Sequence, residues 1–119
     1  MKLGDVFTAR FPHHLPGGHE QEGLRPAVVV GLPGSVGKPR FQVVFLTPLT
    51  SHKGQAWVKG APALYPLLAA GTAGLPSASV ALTDQTRPLD TSRLARYLGA
   101  LSSDEFALLQ IALRGVLAL

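Results

Sequence analysis

Residues 18–30 read "GHEQEGLRPAVVV". The first half is charged and bounded by glycine; the second is apolar and β-branched. A short apolar run of this kind reads as a strand, here residues 25–31. Pro26 near its start costs little, because the first residue of a strand need not donate to a ladder. Arg25 stands at the junction. Its backbone is held by the strand while its guanidinium reaches beyond it, a placement that suits phosphate recognition by the planar fork. The competing assignment is a salt bridge to Glu20 or Glu22.

Upstream, "PHHLPGGHEQEG" (12–23) is a long loop with two prolines and three glycines, and loops of that length in compact domains are often functional. Before it, "GDVFTARF" (4–11) alternates, with Phe7, Ala9 and Phe11 on one face and Thr8 and Arg10 on the other, as in a half-buried strand. Downstream, "LPGSVGKPR" (32–40) reads as a loop, "FQVVFLT" (41–47) as a third strand, "PLTSHKG" (48–54) as a polar turn and "QAWVK" (55–59) as a fourth strand. "APALYPLLAAGTAGLPSAS" (61–79) reads as an irregular connection, and "VALTDQTRPLD" (80–90) as a strand that breaks near Pro88.

The tail carries the sharpest local signal. Ser102 as N-cap with Glu105 three residues later is a capping box, and Asp104 and Glu105 favour the N-terminal end of the helix dipole. Phe106, Leu109, Leu113, Val116 and Leu117 then fall on one stripe at helical spacing. Leu108, Ile111 and Leu119 lie off it, so the helix has apolar surface for a second contact, such as a subunit partner. About five short strands and one strong helix make an α+β, mostly β domain spanning 1–119. The expected form is an SH3-like barrel of short antiparallel strands with a C-terminal helix.

Composition narrows the chemistry. Eleven Lys or Arg against seven Asp or Glu give a formal charge of +4, which favours an anionic partner without a basic run to specify one. The chain has no cysteine, which removes disulfides, thiolate metal sites and thiol nucleophiles and fits a cytoplasmic home. "MKLGDVF" lacks the apolar core of a signal peptide, and no apolar run approaches the length of a membrane span, so no membrane role is expected. His13, His14 and His19 cluster in the first loop but lack a helical ligand spacing, so no metal is expected. "GLPGSVGKP" is not a phosphate loop, since no Ser or Thr follows the lysine and Pro39 forbids a helix there. Ser51 and His52 are adjacent, which points their side chains apart, and no serine sits in a strand–turn–helix elbow.

Taken together, "GDVFTARF", "GHEQEGLRPAVVV", "TPLTSHKG", "VALTDQTRPLD" and the closing helix resemble, in order, the segments of the MazF/PemK (Kid-like) toxin endoribonucleases. The resemblance implies an SH3-like barrel acting as a homodimer. It implies sequence-selective cleavage of single-stranded RNA, an mRNA interferase activity without metal or other cofactor, that leaves 2′,3′-cyclic phosphate and 5′-hydroxyl ends. It also implies neutralisation by a cognate MazE-like antitoxin through an extended acidic segment. The family's catalytic arginine falls on Arg25 and its threonine on Thr50, with Thr47 close enough to compete for that register. Glu20, Gln21 and His19 in the loop, Ser51, His52 and Lys53 beside the threonine, and Asp84 and Gln85 are the implied substrate contacts. Glu20 is either the general base or only the orienter of Arg25, and His52 beside the threonine is the outside candidate for the base. Where some members carry a basic residue two positions before the aspartate, this chain has Leu82, so a second cation must come from elsewhere or is not needed. The alternatives are a barrel that poisons DNA gyrase without cutting RNA, and one that only binds nucleic acid.

Overall fold

A computed structural model describes residues 1–14 and 16–119; Leu15, inside the first loop, lies outside the described residues. The strands are β1 (Asp5–Phe11), β2 (Gly23–Gly31), β3 (Val43–Ser51), β4 (Leu67–Leu68), β5 (Ser79–Ala81), β6 (Arg87–Asp90) and β7 (Leu94–Ala100). Two α-helices, α1 (Ala56–Lys59) and α2 (Ser103–Leu117), complete the set. The strands form one antiparallel sheet in the order β4-β5-β3-β2-β1-β7, with β6 also paired to β3. This is the expected mostly-β architecture: a curled sheet carrying a C-terminal helix.

The unbroken run Ala27–Val30 has a simple cause: both faces of β2 are covered. Ala27 and Val29 pack with Ala9, Phe11, Val44, Leu46 and Leu89 inside the curl. Val28 packs on the other side with Val6, Leu49, Leu68 and Leu109 of α2, and Val30 and Phe106 border that cluster. Sides that both exclude water need no polar alternation. Gly23 opens β2 at φ +82°, a left-handed conformation that lets the charged loop turn sharply into the strand.

Several boundaries differ from the sequence-based expectations. The third strand does not end at Thr47. β3 starts two residues later than expected and runs through Pro48 to Ser51, so most of the expected turn is strand. Pro48 is tolerated because β3 changes partners there: β6 pairs through Leu46 and β5 from Leu49. The Pro48 carbonyl accepts from the Leu82 amide on that edge, so its missing N–H falls in the gap between the two ladders. The stretch "QAWVK" is not a strand but the one-turn helix α1, with only Val58 buried, against Val80 and Leu82. Five residues with one inward side chain satisfy either period, and packing decides.

The 61–79 connection is irregular as expected, but it contributes the two-residue strand β4 and buries Leu68 and Leu75 in the core. The 80–90 strand breaks at the 3-10 turn Thr83–Gln85 rather than at Pro88. Pro88 lies inside β6, which pairs with β3 alone and so has a free edge for it. The sequence-based set of strands omitted β7. Its side chains are mostly exposed or half-buried, which erases the alternation that would mark it. The start of the helix follows expectation: Ser102 is the N-cap, and both bonds of the capping box form. Its expected stripe does not bury throughout: Leu109 is in the core and Phe106 and Leu113 are half-buried, but Val116 and Leu117 stand exposed, because the helix runs past the edge of the sheet's core.

Candidate active site

Five of the side chains singled out by sequence, His19, Gln21, Thr50, Asp84 and Gln85, gather near the end of β3. Paired positions Ala27–Pro48, Val28–Thr47 and Val29–Leu46 fix the β2–β3 register. The pairing ends two residues short of Arg25 and Thr50, and Thr50 pairs with Val80 of β5 instead. Thr50 lines a cavity of about 500 Å³ together with His19, Gln21, Asp84 and Gln85. Three separate segments converge here: the first loop, β3 and the 3-10 turn after β5. The amide of Gln85 ties two of them, donating to the His19 carbonyl at 3.5 Å.

Arg25 is not part of that lining. Its Nε donates to the Glu22 carbonyl at 2.9 Å, which anchors the arginine at the loop end. Among the described residues it makes no ion pair with Glu20 or Glu22, so the salt-bridge alternative does not hold. The Glu22 carboxylate turns the other way. It accepts from the His14 amide at 2.8 Å and lies 3.0 Å from His13 Nδ1. The His14 amide, foremost, holds the Glu22 carboxyl below its ordinary range. The same contacts account for two of the three loop histidines, and no group of three or more potential metal ligands is gathered among the described residues.

Glu20 borders a neighbouring cavity of about 380 Å³, which shares Asp84 and Gln85 with the first. His14 and Arg87 lie on its other side. Arg87 Nη1 donates to His14 Nε2 at 2.9 Å, so a neutral His14 carries its proton on Nδ1. Ser51, His52 and Lys53 line neither cavity. The Ser51 carbonyl accepts from Gln55, the His52 amide donates to the Ala78 carbonyl, and the Lys53 amide donates to the Gln55 side chain. Thr47 is fully buried, its hydroxyl 2.6 Å from that of Thr86. Of the two threonines, only Thr50 faces open space.

Sequence reasoning missed Trp57, Tyr65 and Arg87. Trp57 and Tyr65 line the larger cavity, ring edge to ring face at 4.9 Å and 80°. The Tyr65 hydroxyl donates to Asp84 Oδ2 at 2.6 Å, and this bond pushes the phenol's pKa up to about 12. Both aromatics come from segments assigned to a strand and to an irregular connection, where no periodicity aims a side chain. Arg87 supplies a cation three residues after Asp84, where Leu82 offers none.

Residues 2–117 match the family model described as PemK-like, MazF-like toxin of type II toxin–antitoxin systems. Among solved structures, the chain is similar to MazF from Deinococcus radiodurans, at 27% identity and a TM-score of 0.76, over 100% of this chain and 97% of that one. It is also similar to a chain of the MazE–MazF complex from the same organism, at 30% identity and a TM-score of 0.67, over 100% and 96%. At 19% identity and a TM-score of 0.66, it shares its fold with a mycobacterial endoribonuclease in complex with its cognate antitoxin, over 100% and 96% of the two chains. No curated protein is similar to the chain at a significant level.

Proposed function

The chain belongs to the PemK-like, MazF-like family of toxins of type II toxin–antitoxin systems, and from that membership we propose that it is a sequence-selective endoribonuclease acting on single-stranded RNA. The observation that carries the proposal is the cavity in which Thr50 meets the loop residues His19 and Gln21 and the pair Asp84–Gln85.

Cleavage runs through the RNA's own 2′-hydroxyl. The 2′-oxygen attacks phosphorus, the P–O5′ bond breaks, and the products are a 2′,3′-cyclic phosphate and a 5′-hydroxyl. The proton of the 2′-hydroxyl must go to a base. Glu22 and Asp84 each have one carboxylate oxygen engaged, by the histidines and by Tyr65, whereas Glu20 has no hydrogen-bond partner among the described residues. Glu20 is therefore the base in this scheme. Thr50 donates its hydroxyl to a phosphate oxygen. Arg25, held by the Glu22 carbonyl through Nε, keeps its terminal amino groups for the charge that builds on phosphorus. A guanidinium gives up a proton only to a stronger base, and the departing 5′-alkoxide is one, so its acid–base part is to protonate that oxygen. No step calls on a metal.

The protein works as a homodimer in the cytoplasm. Leu108 and Ile111, three residues apart, stand exposed on one face of α2, and Val116 and Leu117 are exposed near its end, apolar surface that a second copy would cover. The antitoxin of this system lays an extended acidic segment over the RNA groove, against a chain of net charge +4.

One assay tests the proposal: purified protein, single-stranded RNA and EDTA. The expected result is cleavage to cyclic-phosphate ends, with no cutting where the scissile nucleotide is 2′-deoxy. Normal cutting of the deoxy substrate overturns the mechanism. Gyrase-dependent DNA breaks, or binding without cleavage, overturn the function.

A further inference from the structure

Trp57 is the chain's single tryptophan, and 46% of it is exposed although it lines a polar cavity. Beside a candidate phosphate site, a large ring left half in water offers a flat surface on which a planar group can stack. We propose that Trp57 is the stacking platform of a nucleobase subsite beside Thr50, and that Tyr65 and Asp84 select there a base bearing an exocyclic amino group. The inference deepens the nuclease proposal and rests on it.

Three observations build the site. Val58 is buried against Val80 and Leu82, which pins α1 to β5 and turns the neighbouring Trp57 to the cavity. Tyr65 braces the indole edge-on at 4.9 Å, leaving a face of Trp57 for a base. The Tyr65 hydroxyl occupies Asp84 Oδ2, which fixes the carboxylate and leaves Oδ1 to accept. The phenol keeps its proton to about pH 12 and donates throughout the working range. A fixed carboxylate accepts from the amino groups of adenine, cytosine or guanine. Uracil offers one N–H between two carbonyls, whose oxygens repel it. Tyr65 is thus a positioning residue, and Trp57 and Asp84 touch the base.

The test uses 2′-O-methyl octamers of A, of C, of U and of alternating G and U, which cannot be cleaved because the attacking oxygen is capped. End-label anisotropy reads binding, and Trp57 emission reads stacking. Bound A, C and G-containing octamers should quench Trp57, and the U octamer should bind more weakly. Trp57→Ala should weaken binding about five- to hundredfold and raise KM for cleavable RNA with kcat held, while Trp57→Phe retains most of the affinity. Tyr65→Phe should keep the quenching and lose the preference over U. Octamers that bind without changing Trp57 emission overturn the platform. So does a Trp57→Ala variant with unchanged affinity and KM, which assigns the exposed indole to a protein interface. Equal affinity for the U octamer overturns the amino selection. In each of these cases RNA is still cut and the nuclease proposal stands; if the protein neither binds an octamer nor cuts RNA, both proposals fall.

Discussion

Helix α2 and the Thr50 cavity lie in one small domain and are built in opposite ways. The helix is assembled from neighbours. Ser102 and Glu105 exchange hydrogen bonds at 3.2 and 2.8 Å, and Leu109 and Ala112 bury one face. The cavity is assembled from residues 19, 21, 50, 57, 65, 82, 84 and 85, drawn from five separate segments of the chain. The helix holds the fold and carries no titratable group into the site. In the proposed function the cavity carries the chemistry, and it adds little to the core. Substitutions should therefore separate cleanly: activity without stability on one side, stability without activity on the other.

The largest effect is expected at the cavity. Arg25→Ala should lower RNA cleavage roughly a hundred- to a thousandfold, about 2.7–4 kcal/mol in the barrier. Thermal unfolding should stay nearly unchanged, since a half-exposed arginine with one carbonyl contact adds little to stability. Arg25→Lys should fail as well, because a point charge does not reproduce the fork. Thr50→Ala should also be severely impaired. An Arg25→Ala protein that unfolds easily, or cuts RNA normally, breaks the separation.

Thr47 sharpens it. The two threonines are three residues apart on β3, one facing the cavity and one buried against Thr86. Thr47→Val leaves the Thr86 hydroxyl without that partner and should cost about 1–3 kcal/mol in denaturant unfolding. Cleavage per folded molecule should remain. If Thr47→Val abolishes cleavage in folded protein while Thr50→Ala does not, the active threonine has been assigned to the wrong position.

What was legible in the sequence divides along the same line. The capping box could be read because its two bonds join residues three apart. β2 could be read because covering both faces leaves an uninterrupted apolar signature, Ala27–Val30. Arg25, Thr50, Asp84 and Gln85 were singled out through family motifs rather than periodicity. Trp57 and Tyr65 were not. Their meaning depends on α1 docking on β5, a contact between residues about 22 apart that no local pattern encodes. β7 was lost for a related reason: an edge strand with little burial writes no alternation.

Ser102→Ala tests the helix alone. It removes the acceptor for the Glu105 amide and should cost about 1 kcal/mol, or roughly 4 °C in Tm. Cleavage at a temperature where the variant is folded should be unchanged. Since α2 packs against the Thr83–Gln85 turn, a loss of activity there would mean that the helix positions Asp84 and Gln85.

The smallest expected effect joins the two regions, because Glu22 is a local contact that serves the site. Its carboxylate holds the His14 amide, and its own backbone carbonyl holds Arg25. The bound amide lowers the Glu22 pKa below its ordinary value of 4.5. For a carboxyl depressed in the folded state, the stabilisation is fully present above the unfolded pKa and is lost as the pH falls through the lower, folded one. The loop should therefore keep its anchor at neutral pH and release it only in acid, below the usual carboxylate range. The readout is the His14 amide resonance followed by NMR, which should titrate with a midpoint under 4.5. Glu22→Gln should abolish that titration and keep an acceptor for the amide, so Arg25 stays anchored and cleavage falls only slightly. A His14 amide that titrates with an ordinary midpoint, or a Glu22→Gln variant as inactive as Arg25→Ala, would show that the carboxylate acts in the chemistry itself rather than in holding the loop.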